Sequence, residues 1–172
     1  ATDRVMLARF LGDAGLFEEA DALFAKGLPD ILRHNGAHST QYGRALFSAG
    51  LLAYERGQFD AAEQLLRQSH DIQAAAVGER DSHLLQVIRV VLSTTLLASG
   101  NASDEVRAWL DSVIAIRTQW DIAEGPLAYA RLPLAHWHVL RGEHEEAASL
   151  LDQVEAVGSH VEPELHARAA AT

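Results

Sequence analysis

Apolar residues recur along this chain at intervals of three and four. In FDAAEQLLRQSHDI, Phe59, Ala62, Leu65 or Leu66, Ser69 and Ile72 fall on one side of a helix. No stretch alternates apolar and polar residues between turn signals, so no strand is expected. Ala, Leu, Glu, Gln and Arg dominate, and these favour helix. Breaks near Gly15, Asn35-Gly36, Gly57, Gly78, Gly100, Glu124-Gly125, Gly142 and Gly158 predict about eight helices. Pro126 and Pro163 suit helix starts, where a missing N–H costs nothing. Pro29 and Pro133 fall inside helical patterns and should each kink a helix or move a boundary.

The pattern repeats. LGDAGLFEEADALF, YERGQFDAAEQLL, LASGNASDEVRAWL and VLRGEHEEAASLL align on Gly15, Gly57, Gly100 and Gly142, spaced by 42, 43 and 42 residues. Two residues after each glycine stand Phe17, Phe59, Ala102 and His144; five after it stand Ala20, Ala62, Glu105 and Ala147. Nine after it stand Phe24, Leu66, Trp109 and Leu151. Seven before it stand Ala8, Gly50, Ser93 and Ala135, all small; eight before it stand Leu7, Ala49, Leu92 and Leu134. A small residue on one helix meeting an alanine on the next lets two antiparallel helices approach, and the glycine frees the turn between them. The third unit departs most. One inserted residue, moving Val106 into the alanine slot, accounts for both Glu105 and the spacing of 43.

This order of small residue, turn glycine, aromatic, alanine and large apolar residue resembles the tetratricopeptide repeat, over nearly the whole chain. The resemblance implies an all-α fold: a right-handed α-solenoid of about four antiparallel helix hairpins, at 1–42, 43–85, 86–127 and 128–169 of a single domain. The period exceeds the usual 34, adding roughly 12 Å of helix per repeat. Such long repeats are similar to those of kinesin light chains, and to arrays in bacterial serine/threonine kinases and signalling regulators. Val77 to His83, VGERDSH, resembles the link between repeats in that subclass.

In that family the first helix of each pair lines a groove, at positions about three, six, ten and thirteen before the turn glycine. Carried onto this sequence, these are Gly12, Arg9, Val5 and Thr2; Tyr54, Leu51, Phe47 and Arg44; Leu97, Thr94, Val90 and Val87; and Val139, His136, Leu132 and Tyr129. The groove-binding residues expected from this are Arg9, Arg44, Phe47, Leu51, Tyr54, Val90, Thr94, Tyr129, Leu132 and His136. Arg9 and Arg44 would be the polar anchors, since tyrosine and arginine are enriched at binding hot spots. The groove has no lysine, so it differs from the clamp some members use for a terminal carboxylate. The competing expectation is that several aliphatics pack repeat on repeat.

Composition narrows the function. The net charge of −10, with one lysine among 14 basic residues, disfavours nucleic acid and anionic lipid as partners. No cysteine is present, which removes disulfides and thiolate chemistry and fits a reducing, cytoplasmic compartment. The longest apolar run, VIRVVLSTTLLA, is interrupted by Arg89 and too short for a membrane span. The abrupt start at Ala1 and the ending HARAAAT suggest a segment of a longer protein.

HWHVLRGEHEEA, from His136 to Ala147, looks at first like a metal site. His136 and His138 point about 200° apart on a helix, so they cannot share an ion, and no metal is expected. His144 takes a slot that holds phenylalanine in two units and is expected to pack. Glu143, Glu145 and Glu146, like Glu18-Glu19 and Asp60-Glu63, look like a solvated first helical turn. Asn101 or Ser103 should cap a helix, and His34 should sit at a helix C-terminus. Arg4, Arg89 and Arg131 each lie eleven before a turn glycine; their stems are expected to cover apolar surface between repeats, with the guanidinium reaching an acid on a neighbouring helix. No catalytic constellation or cofactor motif occurs, so a non-catalytic scaffold for a protein or peptide is the leading reading. A peptide- or small-molecule-sensing array is the alternative, and self-association through Val157 to Ala171 a further one.

Overall fold

The computed structural model describes residues 2–77, 82–119 and 124–169, with the backbone alone at 124–126 and 157–169. Among these residues there are eight helices and no strand: α1 (Thr2–Asp13), α2 (Phe17–Asn35), α3 (Thr40–Glu55), α4 (Phe59–Val77), α5 (His83–Ala98), α6 (Asp104–Gln119), α7 (Glu124–Leu140) and α8 (His144–Ala169). The link at residues 78–81 lies outside the described residues, as do the side chains of 157–171.

All four turn glycines have left-handed backbones, with φ of 77°, 70°, 79° and 77° at Gly15, Gly57, Gly100 and Gly142. A side chain there would clash with its own backbone, which is why the spacing of glycines marks the hairpins. The hydrogen bonds are the same at all four turns. The glycine N–H bonds three residues back, and the next N–H bonds five back: Leu16 to Leu11, Gln58 to Ala53, Asn101 to Leu96 and Glu143 to His138. This is the Schellman closure, which satisfies the last carbonyls of the first helix.

The chain forms two compact units, Ala1–Thr95 and Leu96–Thr172. In the first, Val5, Ala8, Ala20, Phe24, Ile31, Ala45, Ala49 and Leu52 form a buried cluster drawn from α1, α2 and α3. Ala62 and Leu66 of α4 are fully buried. Gly50 provides the room: a Cβ on it would stand 2.8 Å from Leu66 Cγ. At the other end of α3 the Ser69 hydroxyl donates to the Gly43 carbonyl at 2.8 Å, and Gln73 Nε2 donates to the Thr40 carbonyl at 2.9 Å.

In the second unit Val106, Leu110, Val113, Leu127, Ala130, Ala135, Trp137 and Ala147 are buried. Val106 is fully buried whereas Glu105 is exposed, so Val106 does occupy the slot held by Ala20, Ala62 and Ala147. Helix α6 also starts two residues later after its glycine than α2, α4 and α8 do. Asn101 Oδ1 accepts the Ser103 N–H at 3.2 Å across that longer turn.

Helix α2 runs through Pro29 and α7 through Pro133, so neither proline sets a helix boundary. Pro29 is exposed, so water can serve the carbonyl that loses its helical donor. Helix α8 continues through Gly158 and Pro163, where a break and a new start were expected. His144 is exposed rather than packed. The reason lies in its counterpart: Phe17 is covered by the Arg56 guanidinium, 5.5 Å from its ring and supplied by the following hairpin. No following hairpin among the described residues covers His144.

Candidate binding surfaces

The expected groove positions fall into distinct environments. On α3, Arg44 is exposed, and Phe47, Leu51 and Tyr54 are half-buried. Their spacing puts all four on one side of the helix. The Tyr54 ring lies 6.0 Å from that of Phe59 at 53°, which holds the phenol at the edge of the α3–α4 turn. Among the described residues the Arg44 guanidinium has no hydrogen-bond or ionic partner, so it is available to a ligand.

Arg9 is engaged. It donates to both Glu55 oxygens, at 2.8 and 3.0 Å, and also pairs with Asp13. The Glu55 hydrogen bond raises its pKa, with the Glu55 and Asp13 charges adding to the effect against desolvation. An incoming carboxylate would have to displace two others. Val90 is 8% exposed, and the Thr94 hydroxyl is turned inward to donate to the Val90 carbonyl at 2.8 Å. On α7 the corresponding side chains are open: Tyr129 is 72% exposed, Leu132 46% and Val139 47%, with His136 exposed between them.

Position by position, then, the residues three and ten before the glycine are buried in the first unit of the repeat (Gly12, Val5) and in the third (Leu97, Val90), and exposed in the fourth (Val139, Leu132). Of the recurring arginines, Arg4 pairs with Asp30 of α2, an acid on the neighbouring helix.

The α7–α8 turn holds a network that the sequence pattern did not indicate. His138 is buried, and its Nδ1 lies 2.7 Å from Glu143 Oε2. Glu143 is therefore no mere solvated acid. The five-residue step of the Schellman closure brings these two side chains together. The equivalent pairs are Leu11 and Leu16, Ala53 and Gln58, and Leu96 and Asn101, so only here are both members ionisable. The His138 hydrogen bond holds the Glu143 carboxyl below the usual carboxylate range, with His138 and Arg141 charge assisting and desolvation opposing. A depressed folded-state pKa means stability present at neutral pH and lost as pH falls through the folded pKa. The stability advantage of the native chain over Glu143→Gln should therefore be level near neutrality and shrink below the ordinary carboxylate range, as read by denaturant unfolding across pH. A difference that grows on acidification would contradict this assignment.

Trp137 lies beside this pair, fully buried. Its Nε1 donates to the Ser103 carbonyl at 2.9 Å, and the guanidinium groups of Arg141 and Arg107 stand 4.7 and 5.0 Å from its ring. Among the described residues no group of three His, Cys, Asp or Glu side chains could hold a metal ion, and no helix is long and apolar enough to cross a membrane.

The tetratricopeptide repeat family model matches residues 48–84, from the middle of α3 through α4. Among solved structures, a kinesin light chain from Podosopora anserina with nearly identical TPR-like repeats has a TM-score of 0.72 at 23% identity, covering 92% of this chain and 74% of that one. BtubC (BKLC) from P. vanneervenii has a TM-score of 0.78 at 14% identity, and this chain spans only 63% of its length. No curated protein matches the chain significantly. With the four glycine turns, the repeat matched at residues 48–84 and these neighbours in view, the chain has an all-α repeat-solenoid fold similar to that of tetratricopeptide-repeat proteins.

Proposed function

We propose that the chain is a non-catalytic module that binds a protein or peptide segment on the exposed faces of its first helices. The observation that carries this reading is the α3 face, where an unpaired Arg44 flanks half-exposed Phe47, Leu51 and Tyr54. Aromatic and arginine anchors over apolar surface are what protein-binding hot spots consist of. The exposed Tyr129, Leu132 and His136 of α7 supply a second such face within the other unit. The Arg-over-Lys, Ala-rich composition and the long repeat favour a place in a larger bacterial signalling protein, beside a kinase or a regulator, in the cytoplasm.

A displayed peptide library panned against the 172-residue chain would test this. Selected peptides should bind Arg44→Ala and Tyr54→Ala at least about fivefold more weakly than the native chain, since one hot-spot contact is worth more than about 1 kcal/mol. Unchanged affinity in both variants would remove the α3 face from the site.

A sensing role is the second reading. A cleft of about 410 Å³ in the first unit is lined by Leu32, His38, Tyr42, Gln68, Asp71 and Ile72. Its size and its mix of apolar wall and few polar groups fit a small ligand. A thermal-shift screen of small molecules would favour this reading if a stabilising compound lost its effect in Tyr42→Ala.

A further inference from the structure

Two exposed apolar stripes on this chain are the two halves of one contact that the chain already makes internally. The internal contact joins α1 to α3. On α1 it uses the residues three, six and ten before Gly15. A Cβ on Gly12 would stand 2.5 Å from Leu52 Cδ1, Arg9 holds both oxygens of Glu55, and Val5 shares a buried cluster with Ala49 and Leu52. On α3 the answering residues are two, five and eight before Gly57: Glu55, Leu52 and Ala49. The residue five before Gly142, Trp137, likewise reaches back to the preceding hairpin, at Ser103.

The corresponding positions are exposed on α7 and on the other side of α1. Three, six and ten before Gly142, α7 exposes Val139, His136 and Leu132. Two, five and eight before Gly15, α1 exposes Asp13, Phe10 and Leu7, at 65% for Phe10 and 51% for Leu7, with Met6 beside them at 55%. Helix α7 thus presents the face that α1 turns to α3, and α1 presents the face that α3 turns to α1.

We propose that the α7 stripe of one copy docks on the α1 stripe of a second copy, in the register of α1 on α3. Val139 then meets Phe10, His136 stands beside Asp13 as Arg9 stands beside Glu55, and Leu132 meets Leu7. The inference rests on reading the chain as a protein-binding array and names the partner of its α7 face. The two surfaces differ, so the contact is heterologous: each copy offers one stripe of each kind. Val139 is larger than the Gly12 it replaces, so the approach is less close and the association weaker than the internal contact.

Sedimentation velocity on the 172-residue chain, from micromolar to millimolar concentration, tests it. The expected result is a mass that rises with concentration. Phe10→Asp and Val139→Asp should each weaken association at least about tenfold, and both residues are exposed enough for the variants to fold. Arg44→Ala and Tyr54→Ala should associate normally, so loss of peptide binding and loss of self-association are separate results. The chain lacks cysteine, so an equimolar mixture of F10C and V139C reports the pairing directly. Under oxidation the mixed disulfide dimer should exceed its statistical half share. A chain that stays monomeric throughout, or cross-links that favour either homodimer, overturns the proposal and leaves the stripes to other occupants.

Discussion

Trp137→Ala is expected to lower the unfolding free energy of the second unit by about 3–5 kcal/mol, the usual range for truncating a fully buried tryptophan. Trp137 is 1% exposed and sits five residues before the turn glycine, where α7 faces the hairpin that precedes it. Its indole does three things there. The ring fills the space between α7 and the start of α6, the Nε1–H satisfies the Ser103 carbonyl, and the guanidinium groups of Arg107 and Arg141 lie near the ring. Trp137→Phe separates these roles. It keeps most of the apolar volume and leaves the Ser103 carbonyl without its donor, so it should cost less, about 1–3 kcal/mol. Guanidinium unfolding followed by far-UV circular dichroism measures both. A Trp137→Ala cost below that of Trp137→Phe would refute the packing role.

Trp137 also illustrates what the sequence encodes and what it does not. The four glycines were legible because a left-handed turn tolerates little else, and the small residues seven before each glycine because close helix packing excludes large ones. Even the displaced slot at Val106 could be inferred, since Glu105 could not be buried there. The faces of the first helices were harder. Val5 and Leu132 occupy equivalent positions and have equivalent character, yet one is buried and the other is 46% exposed. Periodicity reports which side of a helix is apolar, whereas coverage depends on whether another hairpin lies alongside. Arg9 looked like a free anchor for the same reason: Glu55, forty-six residues away, reaches it only once α3 stacks on α1. The pairing of His138 with Glu143 was hidden differently. Two residues five apart are not neighbours on a helix, and they meet only because the turn at Gly142 closes between them.

The substitution Leu66→Ala is expected to cost the first unit about 2–5 kcal/mol, and it should reverse the sign of a second substitution on the facing helix. Leu66 is fully buried, and its Cγ and Cδ2 lie 2.8 and 3.0 Å from where a Cβ on Gly50 would stand, with Leu65 Cβ at 3.2 Å. Gly50→Ala in the native chain therefore forces α3 and α4 apart, because Cγ and Cβ atoms near the backbone cannot swing aside as a side-chain tip could. Overpacking of this kind costs about 1–3 kcal/mol. Gly50 nevertheless sits inside a helix with ordinary φ, where alanine is intrinsically better than glycine by about 0.5–1 kcal/mol. In the Leu66→Ala background the main obstruction is gone, and the new methyl fills part of the cavity. Gly50→Ala should then stabilise the chain. The four proteins make a double-mutant cycle with a coupling of more than about 1 kcal/mol, read from urea unfolding midpoints at constant slope. Additive effects would mean that Leu66 is not what requires a glycine at position 50, and the close packing of these two helices would need another cause.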